Sequence, residues 1–304
     1  MKLGLNSAIL ESYDFHQLID FASETGFECV EVCCWPPSKA ERRYAGVSHI
    51  DVTTLDEQKV KEIKEYCQLK HVEISALAYY PNTLCSDLIA RENNIEHLKK
   101  VIVGAHKLGV GCVTTFIGRM HEKNLEENLE EFAKVWPNII KFAKEYNIKI
   151  AIENCPMLFS NDEWPGGKNL FVSPDIWKKA FEIIPDDNFG INYDPSHFIW
   201  QQIDYIKPLY EFADRIFHVH FKDVKLYQDK LNEVGILALP LQYMEPKIPG
   251  LGDVDWGKYV SALMDIRYNG YACIEIEDRA FETNQKTIND SILLSYRYLR
   301  QFVI

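Results

Sequence analysis

Short apolar runs alternate with longer amphipathic segments along the whole chain. Eight runs have the composition of β-strands: 3–8, 28–34, 72–79, 112–118, 148–154, 189–194, 215–221 and 271–277. Between them, apolar residues recur every three or four positions, which is the period of an amphipathic helix. We predict helices over eight segments: 14–25, 55–69, 91–108, 124–146, 173–184, 200–213, 255–267 and 283–302.

This repeated strand–helix alternation favours an α/β fold, a parallel (β/α)8 TIM barrel formed by residues 1–304 as a single unit. The alternative is an open, doubly wound sheet, which would normally carry a glycine-rich turn after its first strand. The segment LNSAILESYD, which contains the end of the first run, has no glycine. Three long loops are predicted at 35–54, 155–172 and 222–254. Each follows the carboxyl end of a strand, where barrel enzymes keep their catalytic residues.

Local signals mark the ends of several predicted helices. Gly26, Gly109 and Gly270 lie between a helical segment and the next strand, which is the usual place of a helix-terminating glycine. Pro137 falls inside the segment 124–146 and predicts a kink or a break there.

Polar side chains gather where the last four predicted strands end. Alternation along a strand places His218, His220 and Lys222 on one face of the seventh strand, and Glu275 and Glu277 on one face of the eighth. The fifth strand ends in Glu153-Asn154, and the sixth ends in Asp194, with His197 three residues later. Because these strand ends meet at one rim of a barrel, we expect four side chains to converge: Glu153, Asp194, His220 and Glu275.

Three carboxylates that converge in a barrel mouth need compensating positive charge. Three oxygen ligands and one imidazole nitrogen suit Mn²⁺, which we expect first, with Mg²⁺, Co²⁺ and Zn²⁺ as alternatives. Four protein ligands leave about two octahedral positions for the two oxygens of an α-hydroxycarbonyl. Each residue alone is more commonly a solvated rim carboxylate or a hydrogen-bonded core histidine. Their joint occurrence on four successive strands carries the prediction.

Composition narrows the class of partner. The net charge is -12, and no basic stripe is evident, which disfavours nucleic acid and favours a small neutral or metal-chelating molecule. The eight cysteines form no CxxC pair, so we expect reduced core thiols. We find no secretory signal and no apolar run long enough to cross a membrane, and therefore expect a cytoplasmic protein.

Six motifs resemble those of the sugar phosphate isomerase/epimerase family of xylose isomerase-like TIM barrels: IENCPM, DEWPGG, NYDPSHFIWQ, DRIFHVHFKD, PGLGDVDW and CIEIEDRAF. The resemblance covers nearly the whole chain and is specific for the fold and the metal site, but not for the substrate. It implies Glu153, Asp194, His220 and Glu275 as metal ligands, with Glu277 a competitor for the last position. Its endonuclease relatives need further zinc-binding histidines from earlier strands, and ALAYYPN and TTFIGR contain none.

The resemblance implies a metal-dependent isomerase or epimerase that acts through a metal-bound enediolate on a ketose, an inosose or a keto-sugar. Glu153 and Glu275 would transfer the proton from opposite faces of the substrate. One alternative is a lyase or hydratase that uses the same enolisation on a 3-keto-glycoside or a keto-inositol. Another is a non-catalytic sugar-binding or partner subunit. The resemblance also leaves open a homo-oligomer.

Six further residues are candidates for contacts with the substrate: Asn154, His197, His218, Lys222, Glu277 and Arg279. Several have competing interpretations. Asn154 and His197 would instead orient a ligand, His218 would be a packed core ring, Lys222 would pair with Asp223, and Arg279 would be a surface residue.

Overall fold

The computed structural model describes residues 1–37, 45–158 and 166–303, so parts of the loops 35–54 and 155–172, and of the motif DEWPGG, lie outside the described residues. Ten strands occur in these ranges: β1 (Lys2–Asn6), β2 (Cys29–Cys33), β3 (Glu73–Ala78), β4 (Cys112–Thr115), β5 (Lys149–Glu153), β6 (Phe189–Tyr193), β7 (Ile216–Phe221), β8 (Asp223–Leu226), β9 (Met244–Lys247) and β10 (Tyr271–Ile274). Eight of them close a barrel in the order β1-β10-β7-β6-β5-β4-β3-β2. Every pair of barrel neighbours is parallel, which confirms the predicted (β/α)8 TIM barrel.

The α-helices follow the predicted pattern with two exceptions. They are listed in chain order: α1 (Phe15–Thr25), α2 (Glu57–Lys70), α3 (Leu88–Leu108), α4 (Leu125–Glu145), α5 (Pro174–Ile183), α6 (Ser196–Trp200), α7 (Lys207–Glu211), α8 (Gln228–Val234), α9 (Trp256–Asp265) and α10 (Gln285–Leu299). The predicted helix 200–213 is wrong as one continuous helix, because α6 ends at Trp200 and α7 covers only Lys207–Glu211. The segment 222–254 is not irregular throughout, since it contains α8 and the antiparallel hairpin β8–β9.

Some of the glycine and proline signals predicted helix ends correctly, and others did not. Gly26 and Gly109 adopt positive φ angles of 96° and 74° at the carboxyl ends of α1 and α3, as predicted. Gly270 does not terminate a helix, because α9 ends four residues earlier at a cap on Ile266. Pro137 lies inside α4 without breaking the helix. No helix in the described ranges combines the length and apolarity needed to cross a bilayer.

Apolar packing lies mainly between the barrel and its helices, whereas the barrel interior is polar towards one end. Trp136 and Phe132 of α4 and Trp177 of α5 are fully buried in the main apolar cluster. Polar side chains buried within the barrel include Glu31, Thr114, Asn192 and His218. These residues lie on β2, β4, β6 and β7, so polar side chains from around the ring meet in the interior.

One buried carboxylate anchors the segment that follows β7. Asp223 accepts hydrogen bonds from the backbone N–H groups of Gly250, Gly252 and Val254 at 2.9, 3.2 and 3.1 Å, and from the indole of Trp256 at 3.1 Å. These bonds draw the end of the segment 222–254 back against β8, immediately before α9. The long insertion therefore returns to the rim of the barrel at a fixed point.

Candidate metal centre

The four side chains predicted as metal ligands converge at one end of the barrel. Glu153, Asp194, His220 and Glu275 each offer one donor atom, and these atoms all lie within 4.8 Å of one another. His220 Nδ1 is 3.1 Å from Glu275 Oε2 and 3.8 Å from Glu153 Oε1. Asp194 and His220 are fully buried, and the Glu275 side chain is 15% exposed. The set is therefore compact and reachable from the barrel mouth.

The side chain of Asn154, the residue after β5, fixes the position of the Asp194 backbone. Asn154 Nδ2 donates to the Asp194 carbonyl at 2.9 Å, and the Asp194 N–H donates to Asn154 Oδ1 at 2.8 Å. The N–H of Ser196 donates to Asp194 Oδ1 at 2.8 Å, which leaves the second carboxylate oxygen towards the other ligands. Of the two roles considered for Asn154, these contacts favour orientation of a ligand.

The donor atoms lack the partners that buried polar atoms normally have. Asp194 Oδ2, His220 Nδ1 and Glu275 Oε2 are buried and accept or donate no hydrogen bond among the described residues. Buried polar atoms are nearly always paired with protein, water or an ion. Three unpaired atoms that point to one place, with an oxygen-rich donor set, fit a divalent cation.

A buried carboxylate behind His220 was missed by the sequence analysis. Glu31 Oε2 is 2.6 Å from His220 Nε2, the nitrogen that faces away from the other ligands. Glu31 also accepts hydrogen bonds from Asn6, Tyr80 and Thr114, at 3.0, 2.5 and 2.5 Å. A carboxylate that accepts a hydrogen bond from Nε2–H favours the tautomer in which the Nδ1 lone pair is free to bind a metal. The one available signal was a glutamate inside the otherwise apolar run ECVEVCC.

Burial and neighbouring charges shift the pKa values of the carboxyl groups in the site in different directions. Burial opposes ionisation of Glu31, but the charge and hydrogen bond of His220 lower the pKa of that carboxyl to about 2. The Glu153 carboxyl is likewise buried, and His197 and His220 lower its pKa. Burial raises the pKa of Glu275 although Lys222 opposes this effect, and the charge of Glu153 raises it further.

His197 lies beside two of the proposed ligands. Its Nε2 is 3.1 Å from Asp194 Oδ2 and 3.3 Å from Glu153 Oε1, without hydrogen-bond geometry to either. Glu153, Cys155 and His197 form a second group of potential ligand atoms within 4.8 Å. Burial raises the pKa of the Cys155 thiol, which favours its protonated form and makes this second group a poorer cation site.

Lys222 and Glu277 lie at the edge of the same site. Lys222 Nζ is 3.4 Å from Glu275 Oε2 and forms a closer ion pair with Glu277. The alternative pairing of Lys222 with Asp223 is not found, because the contacts of Asp223 are with the 250–256 segment. The Lys222 side chain is almost completely buried beside Glu275.

Two sequence candidates are not brought to the ligand set. His218 is fully buried, with Nδ1 3.0 Å from Asn192 Oδ1 and Nε2 3.1 Å from Ser75 Oγ, so its contacts favour the core-ring interpretation. Arg279 is exposed in a short 3-10 helix after β10. Its exposure favours the interpretation as a surface residue.

Comparisons with known proteins agree with the barrel fold. The family model of xylose isomerase-like TIM barrels matches residues 19–300. An inosose dehydratase of Lactiplantibacillus plantarum is 27% identical over 117 residues, 38% of this chain and 38% of that protein. The IolI protein solved with a bound zinc atom has a TM-score of 0.71 and 18% identity, covering 99% of both chains. D-psicose 3-epimerase from Clostridium cellulolyticum, solved with D-tagatose, has a TM-score of 0.70 and 14% identity, covering 100% of this chain and 99% of that one. This chain belongs to the family of xylose isomerase-like TIM barrels.

Proposed function

We propose that this protein is a divalent-metal-dependent isomerase or epimerase of a carbonyl-bearing sugar or polyol: a ketose, an inosose or a keto-sugar. The observation that carries the proposal is the convergence of Glu153, Asp194, His220 and Glu275, with unpaired buried donor atoms on the last three. A divalent cation in this set supplies the positive charge that acidifies a C–H bond beside a carbonyl. Mn²⁺ remains our first expectation, and the zinc bound by IolI makes Zn²⁺ the main alternative.

In this proposal, Glu153 and Glu275 move the proton. Glu153 is the last residue of β5 and Glu275 follows β10. Because β6 and β7 separate these strands in the ring, the two carboxylates approach the mouth from different directions. One carboxylate oxygen removes the proton from the carbon beside the carbonyl and leaves an enediolate. Return of a proton to the other face gives an epimer, and return to the neighbouring carbon gives an isomer.

Neighbouring residues hold these carboxylates and the substrate in place. The side-chain amide of Asn154 orients Asp194 through two hydrogen bonds to the Asp194 backbone, and the His197 ring lies beside Glu153 and Asp194. Lys222 would contact the developing negative charge on a substrate oxygen beside Glu275.

A second candidate is dehydration by the same enolisation. The inosose dehydratase relative and the buried Lys222 ammonium favour it, because elimination needs an acid for the departing hydroxyl. In that reaction the C–H bond and the neighbouring C–O bond break, and the hydroxyl leaves as water.

The proposal is tested by solvent exchange followed by NMR in D₂O. Protein stripped with EDTA and protein reloaded with Mn²⁺ are incubated with D-tagatose, D-fructose and 2-keto-myo-inositol. We expect metal-dependent loss of a C–H signal beside a carbonyl, and a fall of about 10²–10⁴-fold in Glu153→Gln. The control Glu28→Gln removes a carboxylate at the opposite end of the barrel, where Glu28 contacts Leu3 N.

Deuterium incorporation without loss of water indicates isomerisation or epimerisation, whereas loss of water indicates the dehydratase. Exchange that survives both metal removal and Glu153→Gln would contradict the proposed function.

A further inference from the structure

Arg119 is a half-buried arginine whose guanidinium has no hydrogen-bond or ion-pair partner among the described residues. Its Nε is buried, and its side chain makes no hydrogen bond or ion pair with any described residue. A buried guanidinium normally pairs with a carboxylate or a carbonyl, because its desolvation is otherwise uncompensated.

The backbone around Arg119 is fixed. Asn82 Oδ1 accepts the Arg119 N–H at 2.9 Å, and Asn82 Nδ2 donates to the Arg119 carbonyl at 2.8 Å. The guanidinium lies directly against Gly166, where an added Cβ would be 1.9 Å from Nη1. Two hydrogen bonds to its backbone and the absence of a side chain at Gly166 therefore define the position of the Arg119 side chain.

Arg119 lines a cleft at the same end of the barrel as the metal centre. The cleft has a volume of about 810 Å³ and is lined by residues that follow β2, β3, β4 and β5, including Trp35, Tyr79 and Met157. The four metal ligands come from β5, β6, β7 and β10. The cleft and the metal centre therefore lie on neighbouring parts of the same rim, and both include residues at the end of β5.

One side chain joins the two sites. Asn169 Nδ2 donates to the Glu153 carbonyl at 3.0 Å, and Asn169 Oδ1 accepts the N–H of Gly118 at 3.2 Å. Gly118 immediately precedes Arg119. Asn169 therefore ties the backbone at the end of β5, which carries Glu153, to the backbone that immediately precedes Arg119.

Other charged groups in the cleft do not neutralise Arg119. Glu122 also lines it, but this carboxylate contacts Ser86 Oγ and lies 3.4 Å from His121 Nδ1. The unpaired planar donors of Arg119 match the two oxygens of a carboxylate or a phosphate.

From this arrangement we propose that Arg119 binds an anionic group, a carboxylate or a phosphate, at the far end of the substrate. The inference rests on the proposed function and narrows its substrate class to keto-sugar acids or sugar phosphates.

The test uses anions that carry only the recognised group. Binding of inorganic phosphate and of D-gluconate to EDTA-treated protein is followed by protein NMR, so that a cation cannot hold the anion. We expect one of the two probes to bind, and which one distinguishes a phosphorylated substrate from a sugar acid. Arg119→Gln should weaken that binding by about tenfold or more.

Arg297→Gln is the matched control, because it removes the same charge from an exposed position on α10. Equal loss in both variants, unchanged binding in Arg119→Gln, or no binding of either probe would overturn the inference. Mn²⁺ binding to the same samples is measured separately. If the protein binds Mn²⁺ but neither anion, this inference alone is contradicted. If it binds an anion but fails to bind added Mn²⁺, the proposed function alone is contradicted.

Discussion

His220 is held between two kinds of partner, and its role depends on both. Nε2 faces Glu31 at 2.6 Å, and Nδ1 faces Glu275 at 3.1 Å. Only the tautomer with the proton on Nε2 presents a lone pair to a cation at Nδ1. Because Glu31 is an acceptor on both oxygens, it selects this tautomer.

Replacement of Glu31 by glutamine should therefore weaken metal binding. An amide N–H placed opposite Nε2 would favour the proton on Nδ1, where it blocks the ligand position. We expect the Kd for Mn²⁺ to rise about 10–100-fold in Glu31→Gln, measured by isothermal titration calorimetry.

The control for this prediction is Asp223→Asn, which changes another buried carboxylate with several hydrogen-bond donors. It should lower the melting temperature and leave the Kd for Mn²⁺ within about twofold of the wild type, since Asp223 acts on a loop and not on a ligand. An unchanged Kd in Glu31→Gln would show that Glu31 does not set the state of His220.

At the scale of elements, the segment 222–254 depends on a close approach of its glycines to Asp223. A Cβ on Gly252 would lie 2.1 Å from Asp223 Oδ1 and 2.6 Å from the Val224 carbonyl. Gly252→Ala should therefore displace this return of the chain and lower the free energy of unfolding by about 1–3 kcal/mol, measured by urea denaturation.

Gly257 provides the comparison within the same region. It lies in α9, is exposed, and has no atom closer than 3.5 Å to a built Cβ. Gly257→Ala should be neutral or should stabilise the protein by up to about 1 kcal/mol, because alanine favours a helix. Similar losses in the two variants would argue against a specific role for the Gly252 contact.

The periodicity of apolar residues predicted the repeated barrel strands and most of the helices. It failed where the local structure depends on contacts between segments that are distant in sequence. The eight barrel strands have strong apolar runs, so their order and parallel direction followed from sequence. The strands β8 and β9 are short, and their pairing depends on the fold of the whole insertion. Pro137 does not break α4, because packing of the fully buried neighbours Trp136 and Phe132 outweighs the lost helical hydrogen bond.

The same limit applies to the site. The convergence of the four ligands could be predicted because strand ends meet at one rim of a barrel. Glu31 could not, because it is 189 residues from His220 and reaches it across the barrel interior. Arg119 was missed for a related reason, since an unpaired arginine is recognised only when its surroundings are known.

At the scale of the whole molecule, the site concentrates charge that the protein balances poorly. Five carboxyl groups, those of Glu31, Glu153, Asp194, Glu275 and Glu277, lie around the imidazoles of His197 and His220 and the ammonium of Lys222. A bound cation stabilises the native state because the unfolded chain lacks the assembled ligands.

Metal removal should therefore lower thermal stability. Mn²⁺ at about 100 times its Kd is expected to contribute about 2.7 kcal/mol, and the melting temperature should rise on its addition to EDTA-treated protein. Differential scanning calorimetry measures this shift, which Asp194→Asn should largely remove. A rise of equal size in Asp194→Asn would place the stabilising ion elsewhere.

The most direct test of the metal centre is a crystal grown with Mn²⁺ and measured near the manganese absorption edge. We predict one anomalous peak about 2.0–2.3 Å from Glu153, Asp194, His220 Nδ1 and Glu275. The absence of a peak at this position, or a peak bound instead by Cys155 and His197, would contradict the account.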